Sequence, residues 1–241
     1  MDKLYGSKKT RTRVTKKLKI LGTASSLKLV NWDEPGYDIW ACSPVITQPC
    51  AIPHINKIKQ LYEMHPMEYW ITIIDRLNKT NLPVYMQMKV PQIKESITFP
   101  LKEIQGMVKN ERLSKYFTST IAFMIAHAVY TNEYDLIDLY GVHMSSTEEY
   151  GEQRQACEAW LSFAEGRGIE TTVSHESEIF RCPNMYGYQQ ENNLAVQFRH
   201  DQEGLTNGKI KLETALKKAQ SDLDQQLGAI KMIKKIERKY T

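Results

Sequence analysis

The stretch LKILGTASS, residues 18–26, decides the fold, because an apolar run leads directly into a turn of small residues. The apolar part predicts a short β-strand, and Gly22 lets the backbone of the turn come close to a ligand. Ser25 or Ser26 can cap a helix that begins near Leu27. A strand that passes through such a turn into a helix is typical of the nucleotide-binding edge of a parallel α/β sheet.

The rest of the central region continues the alternation of strands and helices. Further strands are predicted at residues 37–42, 84–88, 136–140 and 169–173, and helices at 54–78, 118–130 and 148–166. The helix at 118–130 is apolar nearly all round and is therefore expected to be buried. Residues 90–115 are predicted to be a polar loop with one or two helical turns. This order predicts an α/β fold, a Rossmann-like and mostly parallel sheet with helices on both faces, over residues 18–180.

The carboxy-terminal part is predicted to be a polar loop region, residues 181–208, followed by a long amphipathic helix, residues 209–241. The helix carries apolar residues at intervals of three and four, namely Leu212, Leu216, Leu223, Leu227, Ile230 and Ile233. Such a stripe must be covered, either by its own domain or by the same helix of a second copy. We expect a homo-oligomer in which antiparallel helices keep their lysine-rich ends apart.

Basic residues are concentrated at both ends of the chain. The formal net charge is +4, yet residues 1–20 hold eight Lys or Arg and one Asp, and residues 209–241 hold nine basic and four acidic side chains. The basic arm, residues 1–17, can neutralise the phosphates of nucleic acid or lie on an anionic membrane surface. A solvated tail, or one that folds back on the acidic centre of the chain, is the alternative.

The composition argues against membrane-spanning and secreted proteins. No uninterrupted run of about 18 apolar residues is present, so no membrane span is expected. The amino terminus lacks the apolar segment of a secretory signal, and a cytoplasmic location with reduced thiols is therefore expected. The four cysteines, Cys42, Cys50, Cys157 and Cys182, form no Cys-x-x-Cys pair, which argues against a zinc ribbon or a redox motif.

Small and hydroxyl-bearing residues follow several of the predicted strands. The carboxyl ends of parallel strands meet at one edge, where the first amides of a helix attract phosphate. The candidate nucleotide-binding residues are Gly22, Thr23, Ser25, Ser26, Ser43, Thr118, Ser119, Thr120 and Gly141. The first turn has one glycine and contains neither the Gly-x-Gly-x-x-Gly motif nor a Gly-Lys-Ser motif. At residues 118–120, helix capping alone accounts for one of the three hydroxyls. A turn without a ligand stays an open alternative.

Two histidines are candidates for proton transfer. His143 follows the strand at 136–140 and His65 precedes a proline; a histidine at the ligand edge can act as a general acid or base near neutral pH, although a lone histidine is more often structural. The residues expected to bind substrate are Glu149, Tyr150, Gln153 and Arg154. No Asp-x-Asp pair occurs within residues 18–180, which argues against a glycosyltransferase that depends on Mg²⁺ or Mn²⁺. Neither a metal nor a cofactor is expected.

Taken in order, these motifs resemble a group of uncharacterised phage-encoded proteins and, more distantly, the Rossmann-like core of bacterial sialyltransferases and of Maf-type motility glycosyltransferases. The resemblance covers residues 18–173. It is carried by Gly22, Ser25, Ser26 and Leu27, by Asp38, Trp40 and Cys42, by Thr118, Ser119 and Thr120, by Gly141, Val142 and Met144, and by Glu149, Tyr150, Gln153 and Arg154. Thr23 and Ala24 depart from the Asn-Gly or Gly-Pro that the sialyltransferases often have there.

The resemblance implies a metal-independent, sialyltransferase-like transferase that binds a nucleotide or a nucleotide-sugar through the glycine-serine loop. A resemblance to phage proteins further implies a modified base of phage DNA as acceptor, with the basic arm on the duplex. Two other functions stay open. The same pocket could sequester a nucleotide signal of host defence without turnover, or the chain could be a structural or assembly protein whose basic ends contact nucleic acid.

Overall fold

A computed structural model describes residues 16–145, 148–183, 185–187 and 193–240. Its strands are β1 (Lys17–Leu21), β2 (Tyr37–Cys42), β3 (Gln60–Glu63), β4 (Val84–Met86), β5 (Ser96–Thr98), β6 (Leu136–Tyr140) and β7 (Glu170–Val173). They form one sheet in the order β5-β4-β3-β2-β1-β6-β7, and every neighbouring pair is parallel. The prediction of a Rossmann-like α/β sheet is confirmed.

The order of the strands reverses at β1. From β1 the chain builds outward through β2, β3 and β4 to β5, and it then returns to place β6 on the other side of β1. Such a switch point in a parallel sheet leaves a crevice outside the carboxyl ends of the two strands, because their following segments leave in opposite directions. The topology alone therefore places a crevice beside the ends of β1 and β6.

The described α-helices are α1 (Met67–Trp70), α2 (Ile74–Thr80), α3 (Leu101–Gly106), α4 (Glu111–Ser114), α5 (Thr120–Thr131), α6 (Glu148–Gly166) and α7 (Asn193–Tyr240). Helix α5 packs on β1, β2 and β3, and most of its side chains are buried, as its apolar sequence predicted. Helix α6 packs on α5 and inserts Trp160, which is fully buried, against the ring of Phe117 at a centroid distance of 5.0 Å.

Strand β3 corrects the prediction of a helix over residues 54–78. Ile52–Lys57 forms a 3₁₀-helix, and the chain then enters the sheet. All four side chains of β3 are buried, including those of Gln60 and Glu63, so a strand with polar ends lies in the sheet interior. Because hydrogen bonds allow these polar side chains to be buried, the sequence of the strand shows no local hydrophobic period. The edge strand β5 was likewise not predicted, since three residues within the predicted loop are too few to show alternation.

A buried histidine lies between α5 and the sheet. His127 is 4% exposed, and its Nδ1 lies 2.7 Å from the hydroxyl oxygen of Tyr62. The rings of Trp40, Tyr85 and Phe99 surround it at centroid distances of 4.7–5.4 Å. Burial disfavours the charged imidazolium and lowers the pKa of His127 from 6.5 to about 4, against a smaller opposing effect of the Glu133 charge. The ring is therefore neutral at physiological pH.

The predicted basic arm is shorter than residues 1–17. Lys17 is the first residue of β1, and the Nζ of Lys16 lies 3.2 Å from an oxygen of Asp38 and pairs with Glu133. Lys17 belongs to the sheet because β1 begins one residue before the apolar run, and Lys16 directly precedes the strand. The rest of the arm, residues 1–15, lies outside the described residues.

The pattern of contacts divides the chain between Arg181 and Cys182. In the second unit α7 begins at Asn193, so the prediction of a loop over 181–208 is wrong for its last part. Gly204 and Gly208 obscured the helix in the sequence; each costs a helix only about 1 kcal/mol. Apolar side chains of α7 are exposed, and self-association through them stays a prediction. None of the described helices is long and apolar enough to cross a membrane.

Candidate functional site

A cavity of about 800 Å³ lies at the carboxyl edge of the sheet, where the strand order predicts a crevice. This is within the usual range for small-molecule sites. Its walls come from the segments that follow β1, β2, β3, β4 and β6, from the start of α5 and from one residue of α6. Of the predicted residues, those that line it are Gly22, Thr23, His65, Thr118, Ser119, Thr120, Gly141, His143 and Gln153.

Two glycines meet at the floor of the cavity, where the chain leaves β1 and β6. The amide of Gly22 donates to the carbonyl of Tyr140 at 2.8 Å, and the amide of Ala24 donates to the carbonyl of Gly141 at 2.9 Å. A Cβ on Gly22 would lie 2.4 Å from the carbonyl oxygen of Gly141, and a Cβ on Gly141 would lie 2.3 Å from that of Gly22. Gly141 also has a φ of +67°. Both positions therefore require glycine, for steric reasons that hold without any ligand.

A cluster of three side chains lies beside these two glycines, namely Ser26, His143 and Glu176. The Nε2 atom of His143 is 2.8 Å from Ser26 Oγ and 3.1 Å from a carboxylate oxygen of Glu176. The composition is that of a serine hydrolase triad, but the arrangement is not, because a triad histidine uses one ring nitrogen for the serine and the other for the acid. Ser26 is fully buried, and its Oγ also accepts the amide of Gly141 at 2.9 Å. The cluster holds the turn after β1 against the segment after β6.

The start of the short helix after β1 also differs from the prediction. Residues Ser25–Leu29 form a 3₁₀-helix whose N-cap residue is Ala24, and no side chain caps it. Ser25 donates to Glu176 at 3.0 Å instead. Neither Ser25 nor Ser26 is among the residues that line the cavity, so of the four predicted residues of this loop only Gly22 and Thr23 lie in its wall.

The three hydroxyls before α5 have three different environments. Ser119 is the N-cap, and its Oγ accepts the amide of Ala122 at 3.2 Å. Thr118 donates to the carbonyl of Glu152 in α6 at 3.0 Å. Thr120 is 8% exposed, and its Oγ1 is a buried atom with no hydrogen-bond partner within the described part of the chain. A buried hydroxyl without a partner is unfavourable, and this one belongs to a residue of the cavity wall.

His65 lies on the opposite wall, directly after β3. Its Nδ1 is 2.6 Å from Oε1 of Glu63, which also accepts the backbone amide of His65 at 2.9 Å. The other oxygen of Glu63 accepts the hydroxyl of Ser43. Glu63 and Ser43 are buried, whereas the side chain of His65 is 46% exposed. Ser43, predicted to bind nucleotide, thus contacts the carboxylate behind the cavity wall. Sequence reasoning missed Glu63, because it fell in the predicted helix.

The residues predicted to bind substrate in α6 do not form one group. Gln153 lines the cavity. Arg154 lies 3.6 Å from Glu158 of the same helix and is not part of the described wall. The predictions for the side chains of Glu149 and Tyr150 lie outside the part of the chain that the structure describes.

The described wall of the cavity carries no lysine, arginine, aspartate or glutamate. Its titratable side chains are His65, His143 and Cys42, and burial raises the pKa of the Cys42 thiol to about 12, so that it stays protonated. Within the described residues no three histidine, cysteine or carboxylate side chains are grouped as metal ligands. An Asp-x-Asp pair does occur at 222–224, on exposed turns of α7. The polar groups of the described wall are therefore the two histidines, the Cys42 thiol, hydroxyls, side-chain amides and backbone groups, set among apolar side chains.

No protein-family model and no curated protein sequence matches the chain. Among solved structures, the chain is similar to the crystal structure of an alpha-2,3-sialyltransferase from Campylobacter jejuni in apo form. The two share 15% sequence identity with a TM-score of 0.42, over 66% of this chain and 75% of the other.

Proposed function

We propose that this protein is a metal-independent, sialyltransferase-like transferase that binds a nucleotide-sugar in the cavity at the carboxyl edge of its sheet. One observation carries the proposal. The buried Oγ1 of Thr120 lacks a partner among the described residues at the start of α5, in the wall of an 800 Å³ cavity at the switch point of a parallel sheet. A phosphate oxygen in the cavity would supply the missing partner.

The start of α5 suits a phosphate group. The first amides of a helix have no acceptor within the helix, and the helix dipole adds partial positive charge there. A threonine in a helix has two accessible side-chain rotamers, so the Thr120 hydroxyl can turn toward a ligand. Gly22 and Gly141 carry no side chains that would fill the opposite side. Phe117 and Phe123, stacked at 4.4 Å, give the same cavity an apolar wall for a base or a sugar ring.

The proposed reaction moves a sugar from the nucleotide to an acceptor. The acceptor oxygen forms a bond to the anomeric carbon, and the bond between that carbon and the phosphate oxygen breaks. The electron pair of the broken bond leaves with the nucleotide, and a histidine of the cavity takes the proton from the acceptor hydroxyl. The amides of α5 then compensate the charge that grows on the leaving phosphate.

Replacing Thr120 with valine is expected to weaken nucleotide binding about tenfold, the effect of one lost hydrogen bond of about 1.4 kcal/mol. The change keeps the shape of the side chain, so stability should be equal or higher, since an unpartnered hydroxyl is removed. Calorimetric titration with CMP, UMP, AMP, GMP and their sugar conjugates measures the effect.

Thr131→Val, at the far end of α5, is the matched control. Its hydroxyl donates to the carbonyl of Ala128 at 3.0 Å, and Thr131 is not part of the described cavity wall. This variant should bind nucleotide as the wild type does. Equal affinity of the Thr120→Val protein and the wild type for every compound would refute the phosphate site.

We further propose nucleic acid as the acceptor, held by the basic arm. Residues 1–15 contain five Lys or Arg and one Asp. Each neutralised phosphate adds about 0.9 to the slope of log affinity against log salt concentration. Deleting residues 1–15 should lower that slope by up to about 4 for a DNA duplex. Fluorescence anisotropy between roughly 50 and 200 mM salt measures the slope, since salt dependence is large in this range. An unchanged slope would assign the arm to solubility.

A nucleotide-binding protein without turnover is the second candidate. The observation in its favour is that the described wall carries no carboxylate, whereas glycoside hydrolases, which also break a bond to an anomeric carbon, use carboxylates as acid, base or nucleophile. The two functions differ in one measurable respect. A transferase releases free nucleotide from a bound nucleotide-sugar when an acceptor is added, and a sequestering protein retains it.

A further inference from the structure

Helix α7 carries an apolar stripe that repeats every eleven residues. The positions that recur over 212–230 are Leu212 and Leu223, Leu216 and Leu227, and Ala219 and Ile230. Eleven residues make three turns at about 3.67 residues per turn, close to the value of a straight α-helix. The stripe therefore stays on one face of α7 without the left-handed supercoil that a seven-residue repeat requires.

The same face has a notch one repeat earlier along the helix. Gly204 and Gly208 stand where the next repeat has Ala215 and Ala219. The missing side chains leave a groove of about 430 Å³ on α7, lined by Gly204, Leu205, Gly208, Lys209, Leu212, Glu213 and Leu216. Two leucines of this groove, Leu205 and Leu212, are 77% and 74% exposed. A continuous exposed apolar surface of this kind marks an interaction site.

A second copy of α7 has the side chains that fit this groove, provided that the two helices run antiparallel. In the register that sets Leu223 of one copy against Gly208 of the other, a large side chain meets a small one in each layer. The other layers of this register are Leu227 with Gly204, Leu212 with Ala219, and Leu216 with Ala215. Because the pair has two-fold symmetry, each layer occurs twice.

The charged side chains beside the stripe agree with this register. Lys209 and Lys211 lie on opposite sides of the stripe at the notch, and Asp224 and Asp222 lie on the corresponding sides one repeat later. In an antiparallel two-fold pair each side of one stripe meets the same side of the other, so Lys209 faces Asp224 and Lys211 faces Asp222. Lys209 lies 3.8 Å from Glu213 of its own helix, an exposed contact that costs little to exchange.

The end of the helix distinguishes the two possible orientations. Residues 231–239 hold five Lys or Arg and one Glu. A parallel pair would place this segment beside its own copy, and the repulsion between like charges opposes that arrangement. An antiparallel pair keeps the two segments apart.

We propose that α7 is a dimerisation helix whose partner is the α7 of a second copy, packed antiparallel with Leu223 and Leu227 of each copy in the Gly204–Gly208 notch of the other. The inference does not depend on the proposed transfer reaction. It gives the expected antiparallel association a register, and it names the side chains that determine the register.

The first experiment measures distances between spin labels in the full chain, after the two cysteines that are not buried, Cys50 and Cys182, are replaced with serine. Ser221→Cys and Lys235→Cys each provide one label site per copy, on the face of α7 away from the stripe. At a rise of about 1.5 Å per residue, the register separates the two copies of residue 221 by about 16 Å along the helix axis and those of residue 235 by about 58 Å. A parallel pair gives equal separations at the two sites.

The second experiment reverses charges and measures the Kd of the dimer by sedimentation equilibrium. Asp222→Lys with Asp224→Lys should raise the Kd at least about tenfold, because four attractive pairs become repulsive. Adding Lys209→Asp and Lys211→Asp should return the Kd close to the wild-type value. Glu203→Lys is the matched control, because this residue lies on the helix face opposite the stripe, and it should change the Kd little.

Circular dichroism verifies that all of these variants keep their helix, which is expected because every substitution is at an exposed position. A protein that stays monomeric at every concentration would overturn the inference and assign the stripe to another partner or to its own chain. Equal distances at the two label sites, or distances displaced by one repeat (about 16 Å), would overturn the register. A charge-exchanged protein that fails to recover the wild-type Kd would do the same.

Discussion

Gly141→Ala is expected to lower the free energy of unfolding by about 3 kcal/mol or more, a large part of the stability of an ordinary domain. The new Cβ would lie 2.3 Å from the carbonyl oxygen of Gly22 and 2.7 Å from its carbonyl carbon. Both are backbone atoms, so relief requires β1 and β6 to move apart. The φ of +67° adds the cost of a left-handed conformation, about 1–2 kcal/mol.

Two other glycines divide this effect into its parts. Gly36 has a φ of +83°, and a Cβ added there would have no described atom within 4 Å, so Gly36→Ala should cost only the conformational part, about 1 kcal/mol. Gly22→Ala has the steric conflict without the positive φ. Urea unfolding followed by tryptophan fluorescence reports on the sheet unit alone, since all four tryptophans precede residue 182. A Gly141→Ala protein as stable as the Gly36→Ala protein would contradict the close contact between the backbones of Gly22 and Gly141.

Acidification from pH 7 to pH 4 is expected to cost the sheet unit about 3 kcal/mol through His127 alone. The unfolded chain binds a proton at this residue below its ordinary pKa of 6.5, whereas the folded chain resists it until about pH 4. The stability that the neutral ring contributes is therefore complete above pH 6.5 and is lost as the pH falls toward 4. Each pH unit in that window changes the free energy of unfolding by about 1.36 kcal/mol.

His127→Asn isolates this contribution. The variant removes the titrating group and retains a polar side chain near the Tyr62 hydroxyl, at a packing cost that does not depend on pH. Its stability should therefore exceed that of the wild type by a growing margin, or trail it by a shrinking one, as the pH falls from 6.5 to 4. Parallel pH profiles of the two proteins would show that His127 has the same pKa in the folded and the unfolded state, and would contradict the prediction.

The sequence predicted those elements whose pattern is local. Helix α5 and strands β1, β2 and β6 show a period or an apolar run that the chain itself displays, and each was predicted within a few residues. Strand β3 shows none, because Gln60 and Glu63 are buried by partners far away in the sequence. The alternation of the remaining elements was enough to predict the parallel sheet and the edge at which the cavity lies.

The candidate site divides in the same way. Glycine after β1 and hydroxyls before α5 were predictable, since strand ends and helix starts are encoded nearby. The partners of these hydroxyls could not be predicted, because they depend on α6. The carbonyl of Glu152 in α6 accepts the Thr118 hydroxyl, whereas the Thr120 hydroxyl has no described partner. The surroundings of the two histidines depended on a carboxylate in an unpredicted strand for His65 and on the turn after β1 for His143. Tertiary contacts decided both.

The absence of charged side chains from the described cavity wall has a consequence for ligand selectivity. A site that neutralises phosphates with lysine or arginine gains affinity with each added phosphate, so it ranks triphosphates above monophosphates. In the proposed complex the start of a single helix would face the ligand, and a second or third phosphate would meet no cation in the described wall. The protein should therefore rank nucleotides by base and sugar rather than by phosphate number, and abundant cellular triphosphates would compete poorly with a monophosphate-linked sugar.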